Sequence, residues 1–173
     1  MAVSPIRLNH AVLFVADLER SVRFYSDVFG MQLIAREPRA NAAFLRLPSS
    51  GNHHDLGLFG VGSAGGSRRY PAIGLYHLAW QVDTIDDLAS ARQTLLDEGA
   101  HTGESSHGAT KSVYGADPDG NEFEIMWMLP RDHWGAYERA APVEHLDLAA
   151  EVQRWTGVRT AGRVVTEAPA DKR

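Results

Sequence analysis

The 173-residue sequence contains no cysteine. Disulfide bonds and thiolate metal sites are therefore excluded, and any metal ion must be held by nitrogen and oxygen ligands. The chain also has no run of eighteen apolar residues, so we expect no membrane-spanning helix and no membrane partner. Its first residues, MAVSPIRLNH, lack the basic and then apolar pattern of a secretory signal. Together these absences favour a cytoplasmic protein.

Positive charge is scarce, with 17 Lys and Arg residues against 22 Asp and Glu residues and a net charge of -5. Nucleic-acid-binding proteins normally present a basic face, so we expect no nucleic-acid partner. Apolar residues make up 44% and charged residues 23%, as is usual for a globular protein. The length suits one compact domain or two small modules that share a core. Eight histidines supply candidate metal ligands and proton carriers.

An internal repeat relates residues 6–60 to residues 74–129. Each copy begins with a β-prone segment that carries a histidine, and a short acidic turn then leads into an amphipathic helix that ends at glycine. The matching positions are the histidines His10 and His77, the expected N-caps Asp17 and Thr84, and the glycines Gly30 and Gly99. Such a repeat predicts two modules of the same topology.

Three strand-like segments follow each helix, which gives the order βαβββ twice. They span residues 31–36, 42–47 and 54–59 in the first copy, and 100–104, 110–116 and 122–128 in the second. We therefore predict an α+β fold in which two tandem modules, within a single domain of residues 1–130, form a curved mixed sheet. The Gly/Ser-rich stretch between the copies, residues 60–74, is typical of a flexible linker.

Residues 131–173 form a tail outside the repeat. Leu146–Trp155 has the spacing of a short amphipathic helix, which we expect to pack on the domain or on a second subunit. Its expected buried face carries Leu148, Val152 and Trp155, and its expected solvent face carries Asp147, Glu151 and Arg154. The final residues, TEAPADKR, are typical of a solvated terminus.

Alternation along the predicted strands indicates a metal site. Side chains two residues apart share a strand face, so His10 and His77 can converge with Glu122 or Glu124 if their strands line one concave surface. Two imidazoles and one carboxylate leave coordination positions open, as in non-haem Fe(II) oxygenases. A single histidine in an apolar strand is more often an ordinary packed residue, and two at equivalent repeat positions leave that role and a shared site equally open. Spacing alone does not choose between the two glutamates.

Four segments carry a family resemblance, namely NHAVLFV, FYSDVFGMQLI, YHLAWQV and DPDGNEFEIMW. On these, the chain from Ile6 to Met128 resembles the vicinal oxygen chelate superfamily, which includes glyoxalase I, fosfomycin-resistance proteins and type I extradiol dioxygenases. The resemblance implies that His10, His77 and Glu124 hold a divalent metal within the two modules. In this superfamily the carboxylate ligand follows a turn like DPDGN, at the position where Glu124 stands.

Two further segments, NHHDLGLF and SVYGADPDGNEFE, resemble the extradiol branch. The resemblance implies that His54, or its neighbour His53, lies beside the oxygen site and that Tyr114 hydrogen-bonds a substrate hydroxyl. His107 lies in the loop where these enzymes often have a histidine, although its spacing to Tyr114 is unusual. The implied activity is ring cleavage of an aromatic diol by O2, with Fe(II), or else Mn(II) or another divalent metal, as cofactor.

Two other functions stay open at this stage. A lyase, isomerase or transferase of the glyoxalase or fosfomycin-resistance type needs only a Lewis-acid metal. Glyoxalase-type sites usually take a fourth ligand from the end of the fourth strand, where Leu56, Gly57 and Leu58 cannot ligate. A metal-free binding or resistance protein is the other possibility, but such members usually lack the three ligands. Small members of the superfamily are commonly dimers, so we expect a homodimer.

Overall fold

A computed structural model describes residues 7–63 and 73–161 of the chain. These residues fall into two compact units, here called the first unit (7–63) and the second unit (73–161). Most of the expected glycine-rich linker and the terminal TEAPADKR lie outside the described residues. The tail expected to begin at residue 131 is part of the second unit.

The first unit is a four-stranded mixed sheet with one helix. Its elements are β1 (Ala11–Val15), α1 (Leu18–Phe29), β2 (Gln32–Glu37), β3 (Ala42–Arg46) and β4 (Leu56–Gly60). The strand order is β1-β4-β3-β2, with β1 parallel to β4 and the other pairs antiparallel. Leu45, Leu56 and Leu58 are fully buried at the centre of the sheet.

The helix α1 forms where the sequence predicts it, because both of its ends are capped. The Asp17 carboxylate accepts a hydrogen bond from the Arg20 backbone N–H, which satisfies one of the free donors at the first turn. Gly30 ends the helix with φ of 63°, a left-handed conformation that glycine adopts without steric cost. Val22 and Tyr25 are buried on the face turned to the sheet.

The second unit repeats this topology and adds the tail. Its elements are β5 (Leu78–Gln81), α2 (Ile85–Asp97), β6 (His101–Ser106), β7 (Thr110–Ala116), β8 (Glu122–Met128) and α3 (Leu148–Trp155), with short 3-10 turns at Arg131–His133 and Gly135–Arg139. The strand order is β5-β8-β7-β6, with β5 parallel to β8. Thr84 and Asp87 form a reciprocal capping box at the start of α2, and Gly99 follows its end with φ of 65°.

The tandem βαβββ prediction is confirmed, and each module forms a four-stranded sheet of its own. The bounds of β7 and β8 are those predicted, whereas His10 and His77 lie one residue before β1 and β5 rather than inside them. His54 likewise precedes β4 by two residues. The ladder between β1 and β4 starts at Ala11, whose backbone N–H donates to the Asp55 carbonyl. The histidines therefore stand at the strand ends.

The DPDGN turn sets the register of β8. The Asp117 carboxylate accepts hydrogen bonds from the backbone N–H groups of Asp119 and Asn121, and Gly120 takes φ of 81°. This turn delivers the chain into β8 so that Glu124 lies opposite Tyr114 on β7 and opposite Ala79 on β5. The turn thus fixes which glutamate stands at the centre of the sheet.

The tail helix α3 packs as predicted through Trp155, which is buried and lies with its ring centroid 6.0 Å from that of Trp127. One expectation is wrong, because Glu151 does not point to water. Its carboxylate pairs with the ammonium group of Lys111 on β7 at 3.0 Å. Lys111 is buried there and also donates to the Ser106 hydroxyl, since a buried ammonium needs polar partners.

No helix within the described ranges 7–63 and 73–161 is both long and apolar enough to cross a membrane.

Candidate metal and substrate site

His77 and Glu124 meet on one face of the second unit's sheet. His77 stands two residues before Ala79, whose register partner on β8 is Glu124, so the two side chains project side by side. The His77 Nε2 atom lies 3.1 Å from Glu124 Oε2. Both side chains are largely shielded from solvent, with exposed fractions of 26% for His77 and 12% for Glu124.

This pair fits the demands of a divalent metal. Two ligand atoms that each lie about 2.1 Å from one ion at right angles are about 3.0 Å apart, close to the separation seen here. The other carboxylate oxygen, Glu124 Oε1, accepts a hydrogen bond from the Ser112 hydroxyl, which orients the carboxylate. His77 Nδ1 is buried and has no hydrogen-bond partner among the described residues. Nitrogen and oxygen donors of this type suit Fe(II), Mn(II) and Zn(II).

Tyr114 and His107 form a hydrogen-bonded pair in the same unit as His77 and Glu124. The Tyr114 hydroxyl lies 2.8 Å from His107 Nε2 and 3.1 Å from the Ser105 hydroxyl. His107 Nδ1 lies 2.9 Å from the carbonyl oxygen of Pro142, which can only accept, so Nδ1 carries a proton. In the neutral imidazole Nε2 is then an acceptor. The Tyr114 ring lies 6.0 Å from the His77 ring, measured between centroids.

The surroundings of Tyr114 keep its hydroxyl protonated. Burial raises the pKa of Tyr114 above its usual value of 10.0, and the negative charge of Glu124 acts in the same direction, while the hydrogen bond with Ser105 opposes both. A phenol with a raised pKa is a hydrogen-bond donor at neutral pH. Tyr114 can therefore donate to an oxygen acceptor at the sheet face that carries Glu124.

In the first unit, three histidines lie together at the start of β1 and β4. The His10 and His54 rings are 4.6 Å apart between centroids, and the His53 and His54 Nδ1 atoms are 3.0 Å apart. His54 is half-buried against the Phe44 ring, whereas His53 is exposed. Burial lowers the pKa of His54, and repulsion by His10 and His53 lowers it further. A neutral His54 imidazole offers one nitrogen donor and one acceptor.

The candidate residues thus form one group in each unit. The first unit brings together His10, His53 and His54, and the second brings together His77, Tyr114, His107 and Glu124. Within residues 7–63 and 73–161, no three His, Asp or Glu side chains are grouped so that they could hold a metal ion. The joint ligation by His10, His77 and Glu124 stays a prediction.

Two serines of the second group were not identified from the sequence. Ser112 contacts Glu124, and Ser105 contacts both Tyr114 and His107. Alternation along β7 offered a signal, because Ser112 lies two residues before Tyr114 and so shares its face. Ser105 is the register partner of Ser112 on β6. The position of Ser112, on the strand next to β8, therefore marks it as a residue that can orient the Glu124 carboxylate.

The extradiol and glyoxalase branches both appear among proteins similar to this chain. Biphenyl-2,3-diol 1,2-dioxygenase 3 of Rhodococcus globerulus is 36% identical over 73% of this chain and 65% of its own length. Catechol-2,3-dioxygenase of Bacillus subtilis is 31% identical over 73% of this chain and 43% of its own length. A lactoylglutathione lyase of Neisseria meningitidis serogroup A is 30% identical over 78% of this chain and 100% of its own length. The chain thus spans only part of the two dioxygenases.

Solved structures show the same fold. A glyoxalase/dioxygenase from Nostoc punctiforme superimposes with a TM-score of 0.62 at 21% identity, over 75% of this chain and 98% of that one. The fosfomycin resistance protein FosX of Listeria monocytogenes gives a TM-score of 0.55 at 20% identity, over 72% of this chain and 93% of that one. A sequence profile of one superfamily matches residues 7–125, from just before β1 into β8. The chain therefore belongs to the Glyoxalase/Bleomycin resistance protein/Dioxygenase superfamily.

Proposed function

We propose that this protein is an Fe(II)-dependent extradiol-type dioxygenase that opens the ring of an aromatic diol with O2. In this proposal His10 of the first unit and His77 and Glu124 of the second hold the metal. The observation that supports it most is the His77 Nε2 to Glu124 Oε2 separation of 3.1 Å, with the Tyr114–His107 pair on the same side of the sheet. Two imidazoles and one carboxylate leave coordination positions for substrate and oxygen.

Fe(II) in this site supplies Lewis acidity that favours ionisation of a bound diol and the one-electron chemistry that O2 requires. The protein residues supply orientation and protons. Tyr114 donates a hydrogen bond to a substrate oxygen and so fixes the ring against the sheet face. When Tyr114 turns its proton to the substrate, Ser105 can donate to His107 Nε2, because it lies 2.9 Å away. The half-buried His107 Nε2 acceptor thereby keeps a hydrogen-bond donor.

His54 is the proposed proton carrier of the first unit. It lies beside the proposed ligand His10, and its half-buried ring is held by contact with Phe44. Its imidazole would hold a proton on one ring nitrogen and could donate it to a substrate oxygen as a general acid. His53 is exposed and is assigned the lesser role of a neighbour that orients His54 through the Nδ1 contact.

The experiment that tests the proposal is anaerobic loading of the full chain with Fe(II), followed by addition of a panel of catechols and air. The expected result is stoichiometric oxygen uptake with a coloured ring-cleavage product. Protein loaded with Zn(II) is the matched control, because that metal fits the same donors but has no redox chemistry. If the iron-loaded protein took up no oxygen with any catechol of the panel, the dioxygenase proposal would be wrong.

A non-redox enzyme is the second candidate. Its support is the match with a lactoylglutathione lyase over 100% of that enzyme's length and 78% of this chain, whereas the two dioxygenases are matched over only part of theirs. Against it stands β4, Leu56–Gly60, which offers no ligating side chain for a fourth ligand. Turnover of lactoylglutathione by nickel- or zinc-loaded protein, without oxygen uptake, would favour the lyase. Failure to bind any divalent metal would instead favour a binding protein.

We further propose that the protein is a homodimer, as small members of the superfamily commonly are, and that it acts in the cytoplasm on small molecules without nucleic-acid or membrane partners. Sedimentation of the metal-loaded chain over a range of concentrations tests the dimer. A single species with the mass of one chain at all concentrations would contradict it.

A further inference from the structure

The tail beyond β8 contacts the loop that carries His107. Residues 130–161 follow residue 125, where the superfamily match ends, and they belong to the same compact unit as His107. The Pro142 carbonyl oxygen lies 2.9 Å from His107 Nδ1 and accepts its hydrogen bond. In a neutral imidazole, the partner of one ring nitrogen sets which nitrogen carries the proton. This carbonyl therefore decides that His107 presents a lone pair, and not an N–H group, to Tyr114.

Two backbone hydrogen bonds hold Pro142 in place. The Ser106 N–H donates to the Glu144 carbonyl, and the Glu144 N–H donates to the Ser106 carbonyl, each at 2.9 Å. They form an isolated antiparallel bridge, so the tail runs beside the His107 loop as a short strand would. Because His107 follows Ser106, and Pro142 precedes Glu144 by two residues, this bridge sets the carbonyl opposite the imidazole. We call residues 137–144 the strap.

The strap also packs on the turn between β6 and β7. The Tyr137 ring occupies the space into which a side chain at Gly108 would project, and Gly108 takes φ of 75°, which glycine adopts without steric cost. In addition, the buried Lys111 ammonium donates to the Ser106 hydroxyl at 2.8 Å and pairs with Glu151 of α3 at 3.0 Å. The turn is therefore held by several independent contacts with the tail.

The proton on His107 Nδ1 determines how Tyr114 can be used. His107 Nε2 lies 2.8 Å from the Tyr114 hydroxyl and 2.9 Å from the Ser105 hydroxyl, and the two hydroxyls lie 3.1 Å apart. With Nδ1 protonated, Nε2 offers one lone pair to two hydroxyl donors. Tyr114 can therefore donate to His107 and, once Ser105 takes its place, turn its proton to another acceptor. With the proton on Nε2 instead, the Nδ1 lone pair would face the Pro142 carbonyl, which is repulsive.

From these contacts we infer that the strap is a positioning element for Tyr114 and acts on it through His107. The Pro142 carbonyl keeps the His107 proton on Nδ1 and fixes the ring, so that Nε2 holds the Tyr114 hydroxyl at the sheet face that carries Glu124. This inference rests on the proposed function for the role of Tyr114 toward a substrate oxygen. The position of the proton on His107, by contrast, can be measured without any substrate or metal.

The test reads the His107 proton in the full, metal-free chain. Two-bond proton–nitrogen correlation spectra at about pH 8, where imidazoles are neutral, show which ring nitrogen is protonated. The His107 signals are assigned by their loss in His107→Gln. In wild-type protein the proton is expected mainly on Nδ1.

Glu144→Pro removes the N–H that bonds the Ser106 carbonyl and so releases the strap. The ratio of Nδ1-protonated to Nε2-protonated His107 is expected to fall roughly fivefold, the effect of one lost hydrogen bond. Glu144→Ala is the matched control, because it keeps the backbone N–H and removes only an exposed side chain. This control is expected to keep the wild-type ratio.

A wild-type His107 protonated mainly on Nε2 would overturn the inference, and this outcome needs no variant. An unchanged ratio in folded Glu144→Pro would overturn it as well. If Glu144→Pro does not fold, Tyr137→Ala takes its place, because the partly exposed Tyr137 ring holds the strap on Gly108 independently of the backbone bridge. Its ratio is expected to fall at least about twofold, and an unchanged ratio would again contradict the inference.

Activity separates this inference from the proposed function. In iron-loaded protein, Glu144→Pro is expected to lower kcat/KM for catechol roughly fivefold and to have no further effect in His107→Ala, because the strap acts through His107. A loss of equal size in both backgrounds would show a merely structural role and would overturn the inference. If wild-type protein took up no oxygen, the dioxygenase proposal would fail, while a strap-dependent proton on His107 would still support the inference.

Discussion

His77 Nε2 and Glu124 Oε2 lie 3.1 Å apart because the parallel pairing of β5 with β8 sets Ala79 opposite Glu124. In the structure the imidazole nitrogen and the carboxylate oxygen face each other at ion-pair distance. With a metal, the same two atoms can become neighbouring ligands with little movement. The preorganisation comes from the sheet register and from the Ser112 hydroxyl behind the carboxylate.

Replacement of Ser112 should weaken metal binding without removing a ligand. Ser112→Ala deletes the hydrogen bond that orients Glu124 Oε1, and loss of such an outer partner typically lowers metal affinity 10- to 100-fold. Anaerobic titration with Fe(II) measures the change. Ser105→Ala is the matched control, since Ser105 contacts Tyr114 and His107 but not Glu124. Equal affinities of the two variants would show that Ser112 does not orient the ligand.

His54 should be needed for turnover but not for metal binding. His54→Ala is expected to keep its iron and to lose roughly 100-fold in kcat, the usual contribution of a general acid or base. His53→Ala serves as the comparison. Because His53 is exposed, its replacement is expected to lower kcat by less than about tenfold. Iron content measures metal binding in each variant, and single-turnover rates measure its catalysis. A larger loss in His53→Ala would reverse the assignment of the inward histidine.

Tyr114 and His107 should act as one unit. Since their side chains share a hydrogen bond at 2.8 Å, the effects of Tyr114→Phe and His107→Ala on kcat/KM should be non-additive, with a coupling energy of about 1–2 kcal/mol. A double-mutant cycle on the transition-state free energy measures it. Strictly additive losses would indicate that the two residues contribute independently.

The Lys111–Glu151 pair should anchor the tail. Glu151→Ala leaves the buried Lys111 ammonium without its counter-charge and should cost roughly 3 kcal/mol in the free energy of unfolding. Replacing both residues by apolar ones, Lys111→Met with Glu151→Leu, should recover most of that loss. Urea denaturation measures the free energy of unfolding of each variant. Gln153→Ala, on the exposed face of α3, is the control. A double variant no more stable than Glu151→Ala would contradict this account.

Much of the fold was predictable from the sequence because its signals are local. The caps Asp17 and Thr84 and the glycines after α1 and α2 marked both helices, and alternation gave the bounds of β7 and β8. Glu151 was assigned wrongly to the solvent face, since its partner Lys111 is forty residues away and periodicity carries no information about such a contact. The strand positions of His10 and His77 were off by one residue because pairing, not composition, decides where a ladder starts.

The site was predictable only in part. The resemblance pointed to His77, Glu124, Tyr114 and His107, and these four lie together in the second unit. The tail could not be assigned to the site in advance, because the Pro142–His107 hydrogen bond and the Tyr137–Gly108 contact join segments that are about thirty residues apart. Such contacts depend on the path of an irregular chain, which has no periodic signature.

The central claim is that His10, His77 and Glu124 together hold one divalent metal. Anaerobic Fe(II) titration of the wild-type chain and of three single alanine variants tests it most directly, with Glu122→Gln as the control on the same face of β8. The account predicts one tightly bound iron per chain in the wild type and in Glu122→Gln, and a loss of affinity above about 100-fold in each alanine variant. Iron binding that survives unchanged in any one of the three alanine variants would contradict it.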